Sequence, residues 1–126
     1  MSEKGILKAI HPVLPVKNVT EAINYYVNKL GFQLGFKDAG DNPKYAGVRR
    51  DAIEIHLQWH DAKEWEAGID RPMLRIYSQN VTALFNEYKT QDVFHKNTSL
   101  KETPWGTKEF GFYDLDSNGL VYYRDL

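Results

Sequence analysis

Between positions 53 and 60 apolar and polar side chains alternate without a break: Ile53, Ile55, Leu57 and Trp59 against Glu54, His56, Gln58 and His60. A period of two puts the first set on one face of a β-strand and the second on the other. Phe110 and Phe112 alternate in the same way with Glu109, Gly111 and Tyr113, as do Leu74 and Ile76 with Arg75 and Tyr77. Elsewhere the spacing is helical. Ala22, Ile23, Tyr26, Val27 and Leu30 share one helical face, opened by Asn18 or Thr20 as cap and stopped by Gly31. Leu84, Phe85 and Tyr88 follow Asn80 and Thr82 in the same manner. The pattern predicts strands over 6–16, 32–38, 45–50, 52–59, 73–78, 108–113 and 120–123, with helices near 20–30 and 82–90. Pro12 and Pro15 demote the first strand to an edge or hinge, because proline cannot donate to the ladder. Residues 39–43 and 114–119 read as turns, 60–72 as a polar, acidic linker, and 94–105 as the least patterned stretch.

The elements run strand, helix, three strands, and the order occurs twice. Asn18-Val19-Thr20 recurs as Asn80-Val81-Thr82, 62 residues on, and at the same offset Asn24 matches Asn86, Tyr26 matches Tyr88 and Phe32 matches Phe94. A repeat near the midpoint of a 126-residue chain implies two copies of one supersecondary unit, since a solenoid needs at least three. The expectation is an α+β domain of two βαβββ modules, 8–62 and 72–126, whose curled mixed sheet leaves a cleft for a small ligand.

Composition narrows the function classes. A formal charge of −1 argues against nucleic acid and anionic membrane as partners, which call for a basic patch. With no cysteine, disulfides, thiolate metal sites and cysteine nucleophiles are excluded. No apolar run has membrane-spanning length and none follows the polar opening, so a cytoplasmic protein is expected. The polar strand face is unusual in being rich in His, Gln, Tyr and Arg instead of Lys and Glu, a composition suited to a wet binding surface. Glu54 and Glu109 are candidates for an acid–base pair if buried together, although strand carboxylates are more commonly solvated or paired, here with Arg75. His11, His56 and His60 make an unorthodox metal set if the sheet curls enough, but cleft histidines are more often simply hydrogen-bonded.

Three segments carry a family resemblance: residues 12–19 with Tyr25 and Leu30-Gly31-Phe32; Tyr45-Ala46-Gly47-Val48-Arg49-Arg50-Asp51; and Pro104-Trp105-Gly106 through Glu109-Phe110 to Asp114-Leu115-Asp116-Ser117-Asn118. In them the chain resembles the vicinal-oxygen-chelate superfamily (glyoxalases, extradiol dioxygenases and bleomycin resistance proteins), and within it the bleomycin-resistance group. The resemblance implies paired βαβββ modules and, for the enzymes, a divalent metal held by both. His11 falls in the first ligand slot, but Met73 and Val121 occupy two others, so neither a metal cofactor nor a catalytic residue is expected. It further implies a non-catalytic protein that sequesters a bleomycin-like antibiotic, with a homodimer that shares its grooves and exchanges its first strand about Pro12. Phe36, Tyr45, Tyr77 and Trp105 are the expected walls, with His56, Gln58, Arg75, Glu109 and Tyr113 as further contacts. Arg75 stands where those relatives place an aromatic residue, and by itself favours an anionic ligand. A metal-dependent lyase or dioxygenase, or a module for an endogenous metabolite, are the alternatives.

Overall fold

The computed structural model describes residues 3–126. Two four-stranded mixed sheets, each with a helix between its first and second strands, form the molecule. The first contains β1 (Val13–Val16), β2 (Gln33–Lys37), β3 (Tyr45–Arg50) and β4 (Ile53–Trp59) in the order β1-β4-β3-β2, and the second β5 (Met73–Tyr77), β6 (Lys101–Glu102), β7 (Thr107–Tyr113) and β8 (Gly119–Asp125) in the order β5-β8-β7-β6. Each sheet pairs its first strand in parallel with its last and is antiparallel elsewhere, with Val13 opposite His56 and Arg75 opposite Val121.

The repeat maps onto equivalent places. Helix α1 (Val19–Asn28) is capped by Asn18, whose side chain accepts from the Glu21 N–H at 2.9 Å. Asn80 does the same at 3.2 Å for the Ala83 N–H, starting α3 (Val81–Lys89). A cap of this kind is worth about 1 kcal/mol, because it satisfies a backbone donor the helix cannot. Gly31 ends α1 with φ +76°, a left-handed conformation that favours glycine, while the Phe32 N–H returns to the Tyr26 carbonyl at 3.0 Å.

Apolar faces of both sheets and both long helices merge into one core that includes Leu14, Val48, Leu57, Phe110, Leu120 and Tyr122. The repeated tyrosines tie the halves together. Tyr26 donates to Asp114 at 2.6 Å, and Tyr88 donates to the Leu30 carbonyl at 2.8 Å, each hydroxyl crossing to the other module. Asn118 completes the seam by donating to the Pro15 carbonyl at 3.0 Å.

Arg50 spans the same seam with a two-pronged bond to Glu87 at 2.7 and 2.8 Å. The guanidinium holds the Glu87 carboxyl below the usual glutamate range. Because its folded pKa is depressed, the stabilisation is present above the ordinary glutamate pKa and lost as pH falls through the lower folded value. Glu87 is nearly half exposed, so water screens the pair. Glu87→Gln is expected to cost up to about 1 kcal/mol at neutral pH and progressively less below pH ~4, measured by urea unfolding across pH.

Two expectations need correction. The first strand spans four residues, not eleven: 6–12 carry no strand, and Ile6, Leu7 and Ile10 lie exposed, because within one chain the ladder to β4 begins at the Pro12 carbonyl, which accepts from His56 at 2.9 Å. The linker holds a short helix, α2 (Ala62–Ala67), capped by Asp61. Its Trp65 indole donates to the His60 carbonyl at 3.0 Å.

Candidate ligand-binding site

Away from the core, the polar face of each sheet carries a separate cluster of the expected site residues. On the first sheet, alternation aims Glu54, His56 and Gln58 outward from β4, with Tyr45 on β3 and Phe36 on β2 beside them. Gly47 lies opposite His56, and a Cβ there would come within 2.3 Å of the Phe36 ring. Its bare backbone therefore lets that ring lie across the strand. Phe36 stacks on Tyr45 with centroids 6.2 Å apart and meets His56 edge-on at 5.2 Å. His11 stacks on the other side of His56 at 5.0 Å.

Hydrogen bonds fix this cage. The Tyr45 hydroxyl bonds His56 Nδ1 at 2.7 Å, His56 Nε2 bonds Glu54 Oε2 at 2.6 Å, and Arg49 donates to Glu54 Oε1 at 2.5 Å. His56 and Arg49 together hold the Glu54 carboxyl down to about 2. Gln58 stands exposed opposite Tyr45.

On the second sheet Glu109 is the organising group. It is only 5% exposed and accepts from Arg75 at 3.1 Å, from the Trp105 indole N–H at 3.1 Å and from the Thr107 hydroxyl at 3.1 Å. The Arg75 guanidinium lies 4.4 Å from the centre of the Tyr123 ring, which Tyr77 meets edge-on at 5.5 Å. Trp105 rises from the turn ending in Gly106, where φ is +89°, and remains 66% exposed. Trp105, Arg75, Glu109, Tyr113, Val121 and His95 border a groove of about 690 Å³. That volume is within the range of small-molecule sites. Tyr77 instead faces a seam groove of about 530 Å³ that reaches from Arg75 to His11 and Glu54. A further hollow of about 630 Å³ beside α3 contains Arg50, which Glu87 already saturates.

The residues thus divide: Phe36, Tyr45, His56 and Gln58 on one sheet, Arg75, Tyr77, Trp105, Glu109 and Tyr113 on the other. Among the described residues no hydrogen bond, ion pair or ring contact joins the two clusters. Glu54 and Glu109 do not meet as an acid–base pair; each is bound to cations or donors of its own sheet. His60 does not join His11 and His56, because α2 brings Glu64 against its ring. Glu54 takes that third place. Its alternation with His56 was visible in sequence, but its approach to His11 depends on the parallel pairing of β1 with β4. The neutralisation of Arg75 by Glu109 likewise needed the register between β5, β8 and β7.

No family model matches the chain. Among curated proteins it is 28% identical over 130 residues to a bleomycin resistance protein of Geobacillus stearothermophilus, an alignment covering 91% of this chain and 95% of the relative. A bleomycin-binding protein from bleomycin-producing Streptomyces verticillus, crystallised with copper(II)-bleomycin, is similar in structure with a TM-score of 0.68 and 25% identity over 93% of this chain and 97% of that one. A glyoxalase-related enzyme from Clostridium phytofermentans matches with a TM-score of 0.79 at 14% identity, over 99% of this chain and 100% of that one.

Proposed function

We propose that this chain, a homologue of the bleomycin resistance proteins with the glyoxalase/bleomycin resistance/dioxygenase fold, binds a bleomycin-like antibiotic and protects by sequestering it, without turning it over. The observation that carries this reading is the preformed second-sheet groove, with an exposed indole fixed at its rim by a buried carboxylate. Flat aromatic platforms give a ligand large contact area at small entropic cost. Phe36, Tyr45, His56 and Gln58 are the proposed contacts on the first sheet, and Arg75, Tyr77, Trp105, Glu109 and Tyr113 on the second. Since Glu109 balances Arg75, that guanidinium does not turn the groove against a cationic ligand. The superfamily's two-module metal arrangement does not fit this chain, because Met73 and Val121 supply no hard or borderline donor.

The active unit in this reading is a cytoplasmic homodimer. The polar faces lie outside the shared core, and a second copy would turn two open half-grooves into enclosed ones. Exposed Ile6, Leu7 and Ile10 ahead of Pro12 supply the apolar surface for that contact and the segment for strand exchange. Calorimetric titration with metal-free bleomycin is expected to saturate near one ligand per chain, and mass spectrometry to recover the drug unchanged. Light scattering at micromolar concentration is expected to give the mass of two chains. Absence of saturable binding would overturn the antibiotic assignment, and a monomer the shared groove.

A further inference from the structure

Part of the stretch 94–105, the least patterned in sequence, forms a wall of the second-sheet groove, and hydrogen bonds fix it there. The Thr98 N–H donates to the His95 carbonyl and the His95 N–H to Thr98 Oγ1, both at 3.0 Å, which closes a turn around Lys96. Thr98 Oγ1 donates to the Gly111 carbonyl at 3.0 Å, and the Tyr113 N–H donates to His95 Nε2 at 2.9 Å. These side chains occupy the edge of β7 that the short strand β6 leaves uncovered. Because Nε2 is the acceptor, a neutral His95 carries its proton on Nδ1, a donor left for the groove.

The groove also has a charge. Arg75, Lys96 and Lys101 border it, and Glu109 is the one carboxylate among its described residues. Both oxygens of Glu109 are engaged within the wall, Oε2 by Arg75 and Oε1 by Trp105 and Thr107. Lys101 pairs with Glu109 in the ladder of β6 and β7, which puts both side chains on the same face. Neither Lys96 nor Lys101 forms an ion pair among the described residues. A chain of formal charge −1 therefore gathers three cations against one carboxylate around this groove. Such a cleft concentrates ligands of the opposite sign.

We infer that the second-sheet groove selects an aromatic ligand, or ligand segment, that carries an oxyanion (a carboxylate, sulfonate or phosphate). The ring lies on Trp105 and the oxyanion meets Lys96 and Lys101, with Nδ1–H of His95 as a further donor. Ring platform and cation are neighbours, since Glu109 both holds the indole at 3.1 Å and stands opposite Lys101. The inference rests on this groove being the ligand site, as proposed above, and adds which part enters it. A cationic arm of an antibiotic stays outside.

The test titrates the full chain with two fluorescent probes that share one ring system: anilinonaphthalene sulfonate, and phenylnaphthylamine, which lacks the sulfonate. The sulfonate is expected to saturate at one per chain and to bind roughly tenfold tighter than the neutral probe, with the gap narrowing as salt is raised to about 0.5 M. Replacing Lys96 and Lys101 together by Gln should weaken the sulfonate by roughly tenfold and change the neutral probe by less than about twofold. Trp105→Ala should weaken both probes. Lys108→Gln, on the opposite face of β7, should affect neither. Tm establishes that each variant is folded, and if the double variant is not, the single lysine variants decide, each expected to weaken the sulfonate by about threefold. Equal affinity for the two probes, a sulfonate affinity indifferent to salt or to the lysines, or binding unaffected by Trp105→Ala would overturn the inference. Bleomycin binding without a preference for the sulfonate leaves the antibiotic assignment standing and removes this inference; the preference without bleomycin binding does the reverse.

Discussion

Asp114→Ala is expected to lower stability by about 3 kcal/mol, a drop in Tm of roughly 10 °C for a domain of this size. One Asp114 oxygen accepts from the buried Tyr26 hydroxyl at 2.6 Å and from Asn118 Nδ2 at 3.2 Å. The other accepts the backbone N–H groups of Asp116 and Asn118, both at 2.9 Å. Removing the carboxylate strands several donors in a seam from which water is excluded, and each such group costs about 1–3 kcal/mol. The opposing effect is real: burial raises the Asp114 pKa, so the ionised group itself is unfavourably placed. That limits the net loss to less than the sum of its bonds. Asp114→Asn keeps one acceptor oxygen but sets a donor amide where the second stood, so it should recover only part of the loss, whereas Tyr26→Phe removes one donor and should cost about 1 kcal/mol. Urea denaturation of the three variants checks the ordering. If Asp114→Ala melted within a few degrees of the parent, the seam would be held by its apolar contacts and not by this network.

Trp105→Ala should cost on the order of 2 kcal/mol of bleomycin affinity, close to thirtyfold in Kd, while leaving Tm nearly unchanged. The separation follows from its surroundings. At 66% exposure the indole contributes little to the core, and its N–H bond to Glu109 at 3.1 Å is one of three that the carboxylate accepts. Arg75 and Thr107 continue to satisfy Glu109 after the truncation. Calorimetry and thermal melting on the same preparation read the two quantities together. A fall in Tm with unaltered affinity would make Trp105 a turn-packing residue and move the ligand elsewhere.

Much of the architecture was legible because it is local. Asn18 and Asn80 cap their helices through their own following backbone, and a period of two in β4 and β7 sorts Ile55 and Phe110 inward from His56 and Glu109 outward whatever the rest of the chain does. The 62-residue repeat held for the same reason, with both capped helices and both buried tyrosines in equivalent places. The first strand was overestimated because apolar character in Ile6, Leu7 and Ile10 signals burial without saying against what.

The site divides along the same line. That His56, Arg75, Trp105 and Glu109 stand on polar faces is a property of alternation and turn chemistry, and the amino-acid sequence determined it alone. Which of them meet is a property of register. The parallel ladder of β1 on β4 brings His11 to Glu54, the chain of pairings from β5 through β8 to β7 sets Arg75 against Glu109, and α2 turns His60 toward Glu64. Such partners lie tens of residues apart, and a shift of one residue in either ladder would send every side chain to the opposite face. Only the tertiary structure decides those pairings, because alternation settles which face each side chain takes but not which distant strand lies beside it on the common core.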